Sequence, residues 1–190
     1  ALQQVIDNPL ATAADLQTAI DQYRDTATAT RAVRDDAMTA GSDAVTSAQN
    51  SDQSGDDRVV TAIQNLQQVM ATAASDSPDA LTADIEAASS AVKQAQVDAA
   101  KSRAEAADLA TAALQQTGPV TNEADVATAR TNLQTLIDDP TSTEQDLKNA
   151  MTELATAVTA AKTDRTTTNN EANKAITTAT NGDQSAAPAV

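Results

Sequence analysis

The chain has 190 residues, of which twelve are basic and twenty-seven acidic, so its formal net charge of −15 excludes a nucleic-acid partner and argues against insertion into anionic membranes. Alanine supplies most of the hydrophobic content, Tyr23 is the only aromatic residue, and histidine and cysteine are absent. The absence of histidine and cysteine excludes disulfides, an ordinary zinc site and an imidazole or thiolate catalyst. The alanine-rich composition favours thin helical layers over a thick core.

The predicted elements alternate between short and long helices. Each long segment is rich in alanine and has no internal proline, and the only internal glycine, Gly41, marks a candidate kink. Short helices are predicted near 1–7, 57–72 and 122–138, and long ones near 13–50, 79–117 and 144–180.

Helix boundaries carry their own signals. Thr12 followed by Asp15, and Thr143 followed by Asp146, have the spacing of a helix N-cap with an acidic third residue. Gly118-Pro119 and Asn181-Gly182 are typical of helix ends. These signals fall between the predicted helices.

The alternation is an internal repeat. Residues 1–20 align without a gap with residues 132–151, and a middle copy begins at Leu66 and carries a five-residue insertion within 71–80. We therefore expect an all-α fold, an elongated rod of tandem three-helix-bundle repeats joined through shared long helices. The expected divisions are an incomplete N-terminal repeat at 1–30, bundles at 31–97 and 98–161, and the start of a further repeat at 162–190.

One face of the middle long helix is predicted to be apolar throughout. A row of residues recurs every seven positions, and Leu109 belongs to an adjacent row with Ala88 and Ala95. The sevenfold row consists of Ile85, Val92, Ala99, Ala106 and Ala113.

Tyr23 is predicted to lie in a core, because its counterparts in the other copies are the apolar residues Val92 and Leu154.

Basic residues recur in the middle of each long helix. One interpretation is a row of positive charges for an acidic ligand. The interpretation that we favour is pairing within each helix, Arg31 with Asp35 and Lys101 with Glu105. The candidate binding residues are Arg31, Arg34, Lys101, Arg103, Lys162 and Arg165.

Pairs of residues with side-chain oxygens precede two prolines, Asp7-Asn8 before Pro9 and Asp138-Asp139 before Pro140. They lack the alternating oxygen ligands and the glycine of a calcium loop, so we expect turn and capping chemistry there. With no phosphate-binding glycine loop either, the sequence predicts no metal site, no cofactor and no enzymatic activity.

The third copy has a spaced pattern of mainly apolar residues that runs through its short helix, the turn and the start of its long helix. The pattern consists of Val126, Ala129, Leu133, Leu136, Ile137, Pro140, Glu144, Leu147, Ala150, Leu154 and Val158. It resembles the last two helices of the FIVAR module. That resemblance implies a helical unit found in tandem in large Gram-positive cell-surface proteins, which are wall-anchored or secreted and reach host matrix proteins or glycans. FIVAR copies often carry Tyr and Trp around the first turn, whereas the matching segment here, 117–125, has no aromatic residue, so no glycan contact is carried over.

Two functions follow as hypotheses. The first is a monomeric spacer rod that projects a binding region from the wall of a Gram-positive bacterium. The alternative is that the repeats themselves bind a host matrix protein or polysaccharide, weakly per repeat and multivalently. An amphipathic lipid- or ice-binding surface is a third reading, disfavoured by the acidic, aromatic-poor helices and by the absence of a regular threonine ladder.

Overall fold

The computed structural model describes residues 2–73 and 78–185, and within these ranges all regular secondary structure is helical. The all-α prediction is thus confirmed for the described chain. In the same ranges, no helix has both the length and the apolar character needed to cross a bilayer. The helices are α1 (Leu2–Ile6), α2 (Ala13–Gln49), α3 (Asp57–Ala73), α4 (Pro78–Gln115), a 3-10 turn (Gly118–Val120), α5 (Ala124–Asp138) and α6 (Glu144–Ser185).

The predicted caps start two of the long helices. Thr12 accepts a hydrogen bond from the backbone N–H of Asp15 at 3.2 Å, and the Asp15 carboxylate accepts one from the backbone N–H of Thr12 at 2.9 Å. Thr143 and Asp146 repeat this arrangement with the same two distances at the start of α6. Each box satisfies two N–H groups that the first helical turn leaves free, so both predictions are confirmed.

Gly118 lies just after the end of α4, where the Gly118-Pro119 pair predicts that the helix stops. Its φ is +58°, in the left-handed region that costs a side-chain-bearing residue energy but not glycine. α4 stops at Gln115, and the chain then enters the 3-10 turn that contains Pro119.

The chain divides into two compact units, Ala1–Ala100 and Lys101–Val190. In the first unit the core is built from the C-terminal part of α2, from α3 and from the first part of α4. Leu66, Ile85 and Val92 are completely buried at its centre, and much of the rest is alanine, so the helices can lie close together. The core members are Ala37, Ala44, Val45, Ala48, Val59, Ile63, Leu66, Ala73, Ile85, Val92 and Ala99.

The core of the second unit repeats this composition. It draws on the last part of α4, the 3-10 turn, α5 and the first part of α6. Leu133 and Leu147 are completely buried there, as Leu66 and Ile85 are in the first unit. The core members are Ala106, Ala110, Val120, Val126, Ala129, Leu133, Leu147, Ala150 and Leu154.

Gly41 lies at a close approach of α2 to Met70 of α3 and Ile85 of α4. α2 continues through Gly41, and a Cβ atom placed there would lie 3.0 Å from Sδ of Met70 and 3.3 Å from Cγ2 of Ile85. Its counterpart in the middle repeat is Ala110, which is completely buried. This position of the repeat is therefore occupied by a very small residue, because a larger side chain would collide with the facing helix.

The second apolar row of α4 departs from the prediction at Leu109. Ile85, Val92 and Ala99 are buried as expected, and Ala88 and Ala95 pack partly buried against the first core, also as expected. Leu109, however, is 62% exposed, whereas Ala110 is completely buried. The prediction for Leu109 was wrong because the small side chain of Ala110 allows the close contact there.

Tyr23 does not lie in a core. Its side chain is 63% exposed, whereas its counterparts Val92 and Leu154 are buried. Val92 is covered because α2 and α3 pack beside α4, whereas α1, which packs against α2, has only five residues. The prediction was wrong because burial at this position requires neighbouring helices that the described residues do not supply.

The predicted helix end at Asn181-Gly182 is also wrong, because α6 continues to Ser185. At the equivalent position α2 does end, with Asn50 as its C-cap, and the turn that follows buries Asp56. Every described side chain from 162 to 181 is exposed, so no tertiary packing fixes an end there. Of the predicted insertion at 71–80, residues 74–77 lie outside the described residues.

Candidate functional site

The six candidate basic residues lie on three long helices, two on each. Arg34, Arg103 and Arg165 occupy equivalent positions of the repeat. All six remain near the middle of their helices, as the sequence indicates, but their partners differ from one helix to the next.

Arg103 holds the end of a neighbouring helix. Its Nη2 atom donates hydrogen bonds of 2.8 Å to the carbonyl oxygens of Ile137 and Asp139, and lies 3.5 Å from that of Leu136. These carbonyls are at the C-terminus of α5, where the last turn has no partners within its own helix. A guanidinium at this place satisfies them and interacts favourably with the negative end of the helix dipole.

Arg165 also donates to the main chain. Its Nη1 atom lies 3.0 Å from the carbonyl oxygen of Pro119, in the turn between α4 and α5. It borders a groove between the start of α5 and α6 that three acidic side chains also line. Those acids offset the charge of Arg165, so this groove does not select strongly for anions. The acids are Glu123, Asp125 and Asp164.

The remaining four candidates form ion pairs within their own helix or, among the described residues, none. Arg34 pairs with the adjacent Asp35 at 3.3 Å, and Lys101 pairs with Glu105 at 3.9 Å, as predicted for the latter pair. The predicted pair of Arg31 with Asp35 is wrong, because Arg34 takes that carboxylate. Arg31 and Lys162 are exposed and make no ion pair with the described residues. Pairs this exposed contribute little to stability.

Arg130 performs a similar role that sequence reasoning missed. From α5, its Nη1 atom donates to the carbonyl oxygen of Leu114 at the end of α4 and, at 2.8 Å, to the hydroxyl of Thr117. The corresponding residue of the middle repeat is Ile63. A comparison of repeats therefore gives no signal for Arg130; its only clue is a cation on the helix that follows a Gly-Pro turn.

The acidic pair before Pro140 has turn chemistry, as predicted. Asp139 accepts hydrogen bonds from the hydroxyl of Thr141 at 2.7 Å and from its backbone N–H at 2.9 Å. These bonds hold the pKa of Asp139 below its ordinary value of 3.8. The Ser142 hydroxyl donates to the carbonyls of Leu136 and Asp139, so this turn is held by the same oxygens that Arg103 reaches.

The pair before Pro9, Asp7-Asn8, is similar. The side chain of Asn8 accepts a hydrogen bond of 3.0 Å from the backbone N–H of Leu10, and Asp7 accepts one of 2.9 Å from the side chain of Gln3. Both contacts are local, which is typical of turn formation. Among the described residues no group of three or more acidic side chains is arranged to hold a metal ion.

At the start of α3, the carboxylate of Asp56 pairs with Arg58. The buried Asp56 accepts three hydrogen bonds of 2.9 Å from Arg58, from its backbone N–H, its Nε and its Nη2. The side-chain hydrogen bond from Arg58 is the main reason that the pKa of Asp56 is lowered from 3.8. Asp56 therefore caps α3 while it is paired with a cation.

No family model, curated protein or solved structure matches this chain. The resemblance to FIVAR modules thus stays a prediction from the residues quoted above. What the geometry establishes by itself is that several arginines join helix ends and turns within the fold.

Proposed function

We propose that the chain is a run of tandem three-helix bundles that act as a non-catalytic spacer in a bacterial cell-surface adhesin. The observation that carries the proposal is the continuity of α4. This helix supplies Ile85, Val92 and Ala99 to the first core and Ala106 and Ala110 to the second, without a break between them. A helix shared in this way joins successive bundles into a rod.

The cores suit a slender rod. Each core takes residues from three successive helices, and small side chains such as Ala48, Ala99 and Ala110 are completely buried. Such cores are thin, and a chain built from them gains length rather than width. α2 and α6, with 37 and 42 residues, have the length to pass between bundles in the same way as α4.

The location at a Gram-positive surface rests on the FIVAR resemblance. The positions that carry it include Val126, Leu133, Leu147 and Leu154, all of which are buried in the second core. The shared pattern is thus one of packing, as expected for repeats whose role is to fold and to extend.

The alternative, binding of matrix protein or polysaccharide by the repeats themselves, has less support. It would use the recurring cations, but Arg103 and Arg165 donate to backbone carbonyls of their own unit. A residue that already holds a turn is poorly free to bind an acidic ligand. Arg31 and Lys162 are the cations that this alternative would still have available.

Small-angle X-ray scattering tests the spacer proposal. A compact globule of this length would have a radius of gyration of about 16 Å, whereas a rod about 100 Å long would have one of about 29 Å, since its helices rise 1.5 Å per residue. We expect the larger value. A radius near that of a globule would contradict the proposal.

A matched pair of variants tests the role of α4 directly. Ala104 is exposed and lies between the α4 residues of the two cores. Ala104→Pro should kink or break the helix there and broaden the distribution of interatomic distances, because proline removes a helical hydrogen bond. Ala104→Ser should leave the scattering unchanged. An unchanged profile for the proline variant, with helix content retained, would mean that α4 does not set the shape.

A further inference from the structure

A groove runs along the second unit between the end of α4, the turn that follows and α5. Its volume is about 490 Å³, which is in the range of sites that bind small molecules. None of the described residues that line it is acidic, although the chain as a whole carries −15. We call it the turn groove, and its polar side chains are Thr111, Gln115, Thr117, Thr121, Arg130 and Gln134.

Arg130 is fixed in the turn groove through one of its nitrogens. Its Nη1 atom donates to the carbonyl oxygen of Leu114 and, at 2.8 Å, to the hydroxyl of Thr117, which is only 2% exposed. The hydroxyls of Thr117 and Thr121 lie 2.9 Å apart, and that of Thr121 donates to the carbonyl of Gly118 at 2.6 Å. Because each hydroxyl has one proton, Thr117 must donate to Thr121 and accept from Arg130. The guanidinium therefore ends an ordered chain of hydrogen bonds.

The opposite edge of the same guanidinium is open. Nε and Nη2 of Arg130 make no hydrogen bond to the described residues, and neither belongs to the buried atoms that lack a partner, so both are accessible to solvent. The parallel N–H groups of this edge match the two oxygens of a carboxylate. Since Nη1 already immobilises the side chain, a ligand there has less side-chain entropy to remove than at a free surface arginine.

Packing alone does not explain an arginine at this position. Its counterpart in the middle repeat, Ile63, is buried in the first core, so an apolar residue satisfies the same place in the fold. The contacts of Arg130 with the end of α4 use Nη1 only. The Nε–Nη2 edge is therefore left for another role.

We propose that the turn groove binds a small carboxylate that also carries hydroxyl groups, such as a sugar acid. The Nε–Nη2 edge of Arg130 takes the carboxylate, and one guanidinium balances its single charge. A phosphate dianion would call for a second cation, which the described lining of the groove does not hold.

The neighbouring side chains supply partners for the ligand hydroxyls. The hydroxyl of Thr111 donates to the carbonyl of Ala107 at 2.9 Å, so its lone pairs remain available as acceptors. Gln134 donates from Nε2 to Asp138 at 3.0 Å and keeps its amide oxygen available. The exposed amide of Gln115 offers both a donor and an acceptor.

The site goes beyond the spacer role proposed above and does not depend on it. It belongs to one copy of the repeat, because the middle copy has Ile63 in place of the arginine. A small ligand held by one charged contact and a few hydroxyl contacts should bind with a Kd on the order of 1 mM.

A titration of the ¹⁵N-labelled full chain with D-glucuronate at constant ionic strength tests the proposal by NMR. The Nε–H signal of Arg130 and the side-chain amide of Gln115 should shift and saturate near that Kd. The Nε–H signal of Arg31, which is exposed and makes no ion pair with the described residues, should stay in place. D-glucose lacks the carboxylate and acetate lacks the hydroxyls, so each should bind at least about tenfold more weakly.

Variants separate the groove from general charge effects. Gln115→Glu places a carboxylate in the groove without touching the bonds that hold Arg130, and should abolish binding of D-glucuronate. Gln64→Glu adds the same charge at an exposed residue of α3 and should leave binding unchanged. Arg130→Ile, which introduces the residue of the middle repeat, should also abolish binding, with circular dichroism to check its helix content.

Four outcomes would overturn the proposal. They are equal shifts at Arg31 and Arg130, binding of D-glucose or acetate as tight as that of D-glucuronate, tighter binding of inorganic phosphate, and binding that persists in Gln115→Glu.

Discussion

The guanidinium of Arg103 binds carbonyl oxygens that lie 33 to 36 residues further along the chain. Bonds from a charged donor to a helix end are among the stronger polar contacts of a fold, and their loss leaves carbonyls partly shielded from water. In an alanine-rich core with few large side chains, such contacts account for a larger share of the stability than they would elsewhere.

We therefore expect Arg103→Met to lower the free energy of unfolding of the second unit by about 2 kcal/mol. Methionine keeps the apolar stem but cannot donate to Ile137 or Asp139. Arg31→Met removes an exposed cation that makes no ion pair with the described residues, and should change stability by less than about 0.5 kcal/mol. Urea unfolding followed by circular dichroism measures both. Equal losses for the two variants would mean that Arg103 acts only through its charge.

The ion pair of Asp56 and Arg58 leads us to expect that the stability of the fold depends on pH. Because the folded state lowers the pKa of Asp56 below 3.8, the stability that this carboxylate contributes is present above that value and is lost as the pH falls through the folded-state pKa. Asp56→Asn should lower the urea midpoint at pH 7, since asparagine keeps the cap but not the charge. The difference from the unaltered chain should vanish in strong acid.

Asp52→Asn serves as the matched control, because Asp52 is an exposed acid in the same turn. It removes the same charge and should leave the urea midpoint nearly unchanged at pH 7. If Asp56→Asn and Asp52→Asn behave alike, or if the effect of Asp56→Asn persists in strong acid, the ion pair at the start of α3 is not the cause.

At the scale of helices, one position of the repeat occurs three times, twice buried and once exposed. Gly41 and Ala110 are buried where helices approach closely, whereas Ala172 is exposed on α6. Gly41→Leu and Ala110→Leu should each destabilise the fold by about 1–3 kcal/mol through overpacking. Ala172→Leu should be neutral in dilute solution. Thermal or urea unfolding of the three variants compares them, and a tolerated leucine at both buried positions would show that the helices can move apart.

The helix starts at Thr12 and Thr143 and the turn at Gly118 could be predicted from sequence because their causes are local, whereas the helix end predicted at Asn181-Gly182 was wrong. Thr12 and Thr143 reach only three residues ahead, and Gly118 needs only its own backbone freedom. The exposure of Tyr23 and Leu109 could not be predicted, since it depends on which helix lies alongside. The contacts of Arg103 and Arg130 were missed for the same reason: each joins two helices that are distant in sequence.

At the scale of the molecule, the two cores share no residue, although α4 contributes to both. Chains of repeats with this property behave as coupled neighbours, in which each unit has its own stability and influences the next through their common element. Hydrogen exchange should therefore reveal two regions of protection rather than a single one, with α4 linking them.

Leu66 and Leu133 allow a reciprocal test, because they are repeat counterparts and both are completely buried. Truncation of a buried leucine to alanine costs about 2–5 kcal/mol, which is a large part of the stability of a small bundle. Leu133→Ala should accelerate amide exchange most in α5 and the first part of α6, and Leu66→Ala most in α3 and the last part of α2. Exchange measured by mass spectrometry resolves these segments. If either variant accelerates exchange equally across both cores, the units unfold as one and the shared helix transmits the whole of the lost stability.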